Sequence, residues 1–223
     1  MNDDAFDAAQ EADRRAVEQR AGLPGPLRPR RPEDFDEMYT ATPPWDIGRP
    51  QPVFLELAES GAFRGRILDV GCGTGEHVLL AASRGLEATG IDMAAAAIDR
   101  AQRKAHDRGL AARFIVYNAL DLASLSEQFD TVLDSGLFHV FDDGDRARFV
   151  DGLRHVTAAG GGYHLLCFSD RQSGDWGPRR VSQDEIRAAF SDGWRVESID
   201  SAAFDINLDP GRALAWHATI IRI

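Results

Sequence analysis

The stretch Ile67-Leu68-Asp69-Val70-Gly71-Cys72-Gly73-Thr74-Gly75-Glu76-His77 decides how this chain folds. Ile67 to Val70 reads as a short buried strand, and the apolar run from Val78 to Ala82 as the start of a helix. Between them lie glycines at alternate positions, where a backbone can turn sharply and come close to a ligand. Strand, glycine turn and helix in that order build the first nucleotide site of a doubly wound α/β sheet.

The spacing bears on the ligand. A dinucleotide site uses G-x-G-x-x-G, with the pyrophosphate at the helix N-terminus. Here the pattern is G-x-G-x-G, and Glu76 stands where the last dinucleotide glycine belongs. Asp69 and Glu76 therefore flank the turn with negative charge, which opposes a pyrophosphate and suits an ammonium and a sulfonium. S-adenosylmethionine carries both. Leu86 to Asp92 reads as the next strand, ending in an acid roughly 20 residues past the glycines, the distance at which a carboxylate meets ribose hydroxyls. An NAD-dependent oxidoreductase is disfavoured by Glu76 and by the missing third glycine.

With that acid in place, Asp69-Val70-Gly71-Cys72-Gly73-Thr74-Gly75 resembles the class I S-adenosylmethionine-dependent methyltransferases. The resemblance runs from about Asp34 to the C-terminus and is most specific between Asp69 and Asp92. It implies an α/β fold: a Rossmann-like, seven-stranded, mostly parallel sheet with helices on both faces and a C-terminal antiparallel hairpin strand. It also implies a cofactor site built from Asp69, Gly71, Cys72, Gly73 and Gly75, with Asp92 and Met93 closing the second strand. Related methyltransferases often carry Asp-Ala, reading the adenine edge, where this chain has Asn118-Ala119. Asn118 has a donor and an acceptor for that task; the alternative is that it only turns the chain.

Pro43-Pro44-Trp45-Asp46-Ile47-Gly48-Arg49-Pro50-Gln51-Pro52 looks like the segment covering the cofactor in the thiopurine S-methyltransferase and halide/thiol methyltransferase branch. By that resemblance Trp45 and Gln51 contact the cofactor and help close the acceptor pocket. The other reading keeps Trp45 as a plug at the edge of the core. Leu133-Asp134-Ser135-Gly136-Leu137-Phe138-His139-Val140-Phe141-Asp142-Asp143 adds a likeness to bacterial enzymes that methylate heterocyclic toxins and thiols. Two departures from the thiopurine enzyme stand out: Asp92 replaces its glutamate, and Ser135 replaces its arginine. The second unsettles the substrate preference.

The remaining elements follow from periodicity and punctuation. Helices are expected over Val53 to Ser60, Glu76 to Ser83, Ala94 to Arg108 and Asp142 to Thr157, with another opening at Ser182-Gln183-Asp184-Glu185. Further strands are expected over Ala112 to Tyr117, Phe129 to Asp134, Tyr163 to Phe168 after the Gly160-Gly161-Gly162 turn, Trp194 to Ile199, and Leu214 to Ile223. Residues 1–32, with four prolines between Leu23 and Pro32, read as a flexible or helical leader. Residues 33–223 read as the methyltransferase domain, with 33–60 as its cap.

Composition narrows the function. At 223 residues the chain buries a sizeable core. A formal charge of −11 argues against nucleic acid. The two cysteines, Cys72 and Cys167, show no metal-ligand spacing and suit a reducing cytoplasm. No signal peptide or membrane-length apolar run is present. The expected partner is a small-molecule methyl acceptor, with the protein a monomer or homodimer and no metal.

Methyl transfer from a sulfonium requires alignment and exclusion of water, and sometimes removal of a proton. Asp134, Ser135 and His139 fall beyond the fourth strand, where the methyl group should lie. His139 is the candidate general base, whose loss would slow a phenolic acceptor more than a thiol. Asp170 and His217 are lesser candidates for the acceptor pocket, bordered by the loop that holds Trp176. The expected activity is transfer to a sulfur, oxygen or nitrogen of a small aromatic or heterocyclic molecule. The alternative is a cofactor-binding regulatory protein without catalysis.

Overall fold

The computed structural model describes residues 32–223 apart from Asp175 and Pro210. The expected leader thus lies outside the described residues except for Pro32, which opens α1 (Pro32–Met38). After it come α2 (Pro52–Glu59), β1 (Ile67–Val70), α3 (Glu76–Ser83), β2 (Ala88–Asp92), α4 (Ala95–Asp107) and β3 (Arg113–Val116). A 3-10 turn over Ala119–Ser124 leads to β4 (Phe129–Ser135), and another over Phe138–Val140 leads to α5 (Asp143–Val156). The chain ends in β5 (Thr157–Phe168), α6 (Gln183–Ala189), β6 (Trp194–Asp205) and β7 (Arg212–Arg222).

The seven strands form one sheet in the order β3-β2-β1-β4-β5-β7-β6. β1 to β5 pair in parallel, while β7 runs antiparallel between β5 and β6. This is the expected architecture. β1 lies between β2 and β4, so the strand order reverses there, and a crevice opens beyond the carboxyl ends. Val70 pairs with both Ile91 and Asp134. Gly71, Asp92 and Ser135 therefore leave the sheet at one level.

Alternation along the strands sorts the core into two layers. Leu68, Val70, Val132 and Leu165 pack with Phe149 and Leu153 of α5 and Ile186 of α6. Ile67, Leu133 and Leu166 face the other way, against Phe54 of α2, Val78 and Leu79 of α3, and Ile98 of α4. Burying side chains of this size contributes about 1.5–3 kcal/mol each, which is why the helices settle on both faces. Gly75 caps α3 at φ 85°, and a Cβ there would lie 2.7 Å from the Phe114 ring. Only glycine makes this turn between β1 and α3 without strain.

Two boundaries differ from expectation. β5 starts at Thr157, which pairs with Phe129, and the next pair is Thr131 with Gly162. The glycines are an excursion inside the strand, not its leading turn. β6 extends to Asp205, paired with Arg212, although Ser201-Ala202-Ala203 carries little strand propensity. The cross-strand ladder overrides local preference there, and it delivers Phe204 to the crevice.

Candidate functional site

The glycine turn is braced from β2. Asp92 Oδ2 accepts the Gly73 N–H at 2.8 Å, and Oδ1 accepts the Ala94 N–H at 2.9 Å. Burial raises the Asp92 carboxyl to about 6 despite the two backbone donors that favour its charge. Gly71, Asp92 and Met93 line the crevice, whereas Cys72 is buried beside the turn and Gly73 and Gly75 shape it from behind. Asp69 is fully buried, and neither of its oxygens has a hydrogen-bond partner among the described residues.

Glu76 departs from the charge argument. Its carboxylate accepts from Lys104 Nζ at 2.8 Å and from the Arg108 guanidinium at 2.9 and 3.0 Å. These cations hold it below the usual carboxylate range although burial works the other way. Glu76 ties α3 to α4, so the negative charge left at the turn belongs to Asp69 and Asp92.

The Pro43 to Pro52 segment crosses the crevice as a strap. Asp46 Oδ1 accepts the Thr74 hydroxyl at 2.8 Å, and Trp45 Nε1 donates to the Tyr39 hydroxyl at 3.1 Å. The far side is fastened to the end of β6: Asn207 N–H donates to Pro44 O at 2.8 Å, and Arg49 pairs with Asp205 at 2.7 Å. Trp45 lines the crevice. Gln51, the other residue expected at the cofactor, is not among the lining residues. Its side-chain amide donates to Asp205 O at 2.9 Å and accepts the Asp205 N–H at 2.8 Å, so both of its functions are spent within the fold.

Under the strap lies a cavity of about 470 Å³. Ser135, Asn118 and Ala119 line one side; Trp45, Phe168, Trp176 and Phe204 supply aromatic wall. Asn118 Oδ1 accepts the Leu120 N–H at 3.0 Å, so the residue caps the following turn while facing the cavity. Trp176 is held by Arg180, which lies over the Phe168 and Trp176 rings and donates to Trp176 O at 2.9 Å and Pro178 O at 2.6 Å.

His139, the candidate base, also lines this cavity. Its Nδ1 accepts the Phe168 backbone N–H at 2.9 Å, which puts the ring proton on Nε2. A ring in that state donates. To take up a proton it would first have to give up the Phe168 bond.

Asp134 also answers donors of the fold. It is fully buried, accepting the Tyr163 hydroxyl and the Leu137 N–H at 2.7 Å each and the Phe138 N–H at 3.1 Å. It pins the loop that carries His139. Burial raises its carboxyl to about 7. An acid raised in this way binds its proton more tightly folded than unfolded, so its ionisation removes stability as pH climbs from about 4 to about 7. His164, lowered by burial to about 4, acts with the opposite sign across much of that window. The Asp134→Asn variant isolates the first effect. Its stability relative to the parent should improve between pH 5 and pH 8 in urea unfolding; a constant difference would contradict the assignment.

The lesser candidates fall elsewhere. Asp170 accepts from Trp216 Nε1 at 3.1 Å, and His217 stacks on His164 at 6.0 Å across the sheet. Tyr39, Phe204 and Asp205 were not foreseen. Tyr39 belongs to none of the motifs, and Phe204-Asp205 lies beyond the apolar run that marks β6.

Residues 67–161 match the model of a methyltransferase domain. The chain is 36% identical over 176 residues, 78% of its length and 78% of the other, to a 2-heptyl-1-hydroxyquinolin-4(1H)-one methyltransferase of Mycobacteroides abscessus. The chain belongs to the S-adenosylmethionine-dependent methyltransferases of small molecules, and S-adenosylmethionine is its cofactor. A probable thiol methyltransferase of Arabidopsis thaliana is 30% identical over 145 residues, 64% of each chain. A structure solved in work on the conversion of a disulfide bond into a thioacetal group during echinomycin biosynthesis is 36% identical, with a TM-score of 0.79 over 86% of this chain and 93% of that one. Among the described residues, no helix is long and apolar enough to cross a membrane.

Proposed function

We propose that this chain transfers the methyl group of S-adenosylmethionine to a sulfur, oxygen or nitrogen atom of a small aromatic or heterocyclic molecule. The observation that carries the reading is the aromatic chamber of Trp45, Phe168, Trp176 and Phe204, continuous with the edge where Gly71, Asp92 and Ser135 leave the sheet. Flat apolar walls with few polar groups suit a planar acceptor. The relatives named for a hydroxyquinolinone and a thiol point to the same acceptor class.

The residues present fit the cofactor. The Asp69 carboxylate behind the turn, buried without a hydrogen bond, favours its ammonium. Asp92 uses two of about four acceptor directions on backbone N–H groups, leaving others for ribose hydroxyls. Asn118 keeps its amide nitrogen for the adenine edge beside Met93 and Ala119, and Trp45 closes the strap over the cofactor. When bound, S-adenosylmethionine supplies a methyl group already activated on a sulfonium. The chain then orients the acceptor and keeps water out. His139 donates from Nε2 to the acceptor heteroatom or an adjacent oxygen, while Ser135 leaves an uncharged wall. The acceptor loses any proton to solvent before it enters. A thiol, near 8.5, meets this requirement more easily than a phenol near 10.

Residues 33–60 serve as the cap of a domain reaching Ile223. The free, buried Cys72 and Cys167 suit a reducing cytoplasm, where we place the enzyme. Incubation of the full chain with methyl-labelled S-adenosylmethionine and a panel of thiols, phenols and azoles tests the reading. Label should move to a heteroatom of at least one acceptor. Cofactor binding without transfer to any of them would favour a non-catalytic role.

A further inference from the structure

A carboxylate buried without a hydrogen bond is unfavourable unless a neighbour supports its charge. Asp69 has such a neighbour. The alternation of β1 turns it to the face it shares with Ile67, towards α2 and α3. There His77, in the first turn of α3, packs its ring against Phe54 at 4.5 Å and brings Nδ1 to 3.5 Å from Asp69 Oδ2. The other ring nitrogen is committed: Nε2 accepts the Gln51 backbone N–H at 3.2 Å. An imidazole that accepts at Nε2 carries its proton on Nδ1, so the donor faces Asp69.

We propose that His77 is a positioning residue that holds the Asp69 carboxylate in place for the cofactor's ammonium, its tautomer set by the Gln51 amide of the strap. The inference rests on the reading that Asp69 serves that ammonium. It gives the strap a second task. Gln51, fastened to Asp205 through its side chain, transmits strap position to the charge behind the glycine turn through its backbone. An open strap would release Nε2, free the tautomer and weaken the hold on the amino-acid end of the cofactor.

The test compares two ligands by calorimetry: S-adenosylhomocysteine, which has the ammonium, and methylthioadenosine, which lacks the amino-acid part. His77→Gln places an acceptor near the Nε2 position and removes the Nδ1 donor; His77→Asn places a donor near the Nδ1 position. His77→Gln should weaken S-adenosylhomocysteine about tenfold and leave methylthioadenosine unchanged, whereas His77→Asn should stay within about threefold of the parent for both. Equal losses for both ligands in His77→Gln, or no advantage of His77→Asn, would overturn the proposal. Asp69→Asn separates the two claims. If it leaves the preference for S-adenosylhomocysteine intact, the ammonium reading itself fails; if it abolishes the preference and His77→Gln does not, only the role of His77 falls. Should the variants not fold, nitrogen NMR of histidine-labelled parent protein decides. The proton should sit on Nδ1 of His77 and the signal should move with S-adenosylhomocysteine but not methylthioadenosine. A proton on Nε2 would overturn the inference.

Discussion

Replacing Asp92 by alanine should weaken S-adenosylmethionine binding by on the order of 100-fold or more, read by calorimetry on the full chain. Two hydrogen bonds from ribose hydroxyls to a charged acceptor contribute about 1.5–3 kcal/mol each, and the variant loses both. It also loses the brace between β2 and the Gly73 amide, so the turn slackens. Asp92→Asn retains one acceptor oxygen and should fall between. The raised carboxyl adds a second signature. Asp92 takes up a proton near pH 6, so cofactor affinity in the parent should decline as pH falls through that value, and Asp92→Asn should lose that dependence. A variant that binds as tightly as the parent would remove Asp92 from the cofactor site.

Replacing His139 by alanine should lower kcat/KM by roughly 10- to 100-fold, the range expected when one hydrogen bond to a charged acceptor atom is removed. His139→Gln, which can still donate from a similar distance, should recover most of the loss. The geometry at Nδ1 separates donor from base: a donor role makes the rate follow ionisation of the acceptor, near 10 for a phenol, with no break at the histidine value near 6.5. Rates in which His139→Gln is as slow as His139→Ala, with a break near 6.5 in the parent, would restore the histidine as the base.

Much of this architecture is legible because its signals are local. A strand, glycines at 71, 73 and 75, and a helix dictate one turn; Asp92 at the next strand end falls at the matching level through sheet register. The Ser182 cap on α6 and the inward faces of α4 and α5 follow from short-range patterns, whereas the seven-stranded sheet is what the resemblance implies. What escaped depends on which polar group satisfies which. Glu76 looks like a ligand-facing acid, but its partners Lys104 and Arg108 sit on one face of a helix about 30 residues away in sequence. Gln51 and Asp134 lie where ligand contacts are expected, yet their oxygens answer backbone donors supplied by β6 and by the His139 loop. His77 carries no signal of its own in the sequence, because its meaning rests on Asp69 and on a backbone amide 26 residues earlier. Spacing identifies the turn; only the fold shows which acids remain for a ligand.

The most direct test of the central claim is a crystal structure of the full chain with S-adenosylhomocysteine. It should show ribose hydroxyls on Asp92, the amino group at the glycine turn in front of Asp69, and the sulfur facing the aromatic chamber that holds His139. Density for the ligand away from the Gly71–Ser135 edge, or a ribose turned away from Asp92, would contradict it.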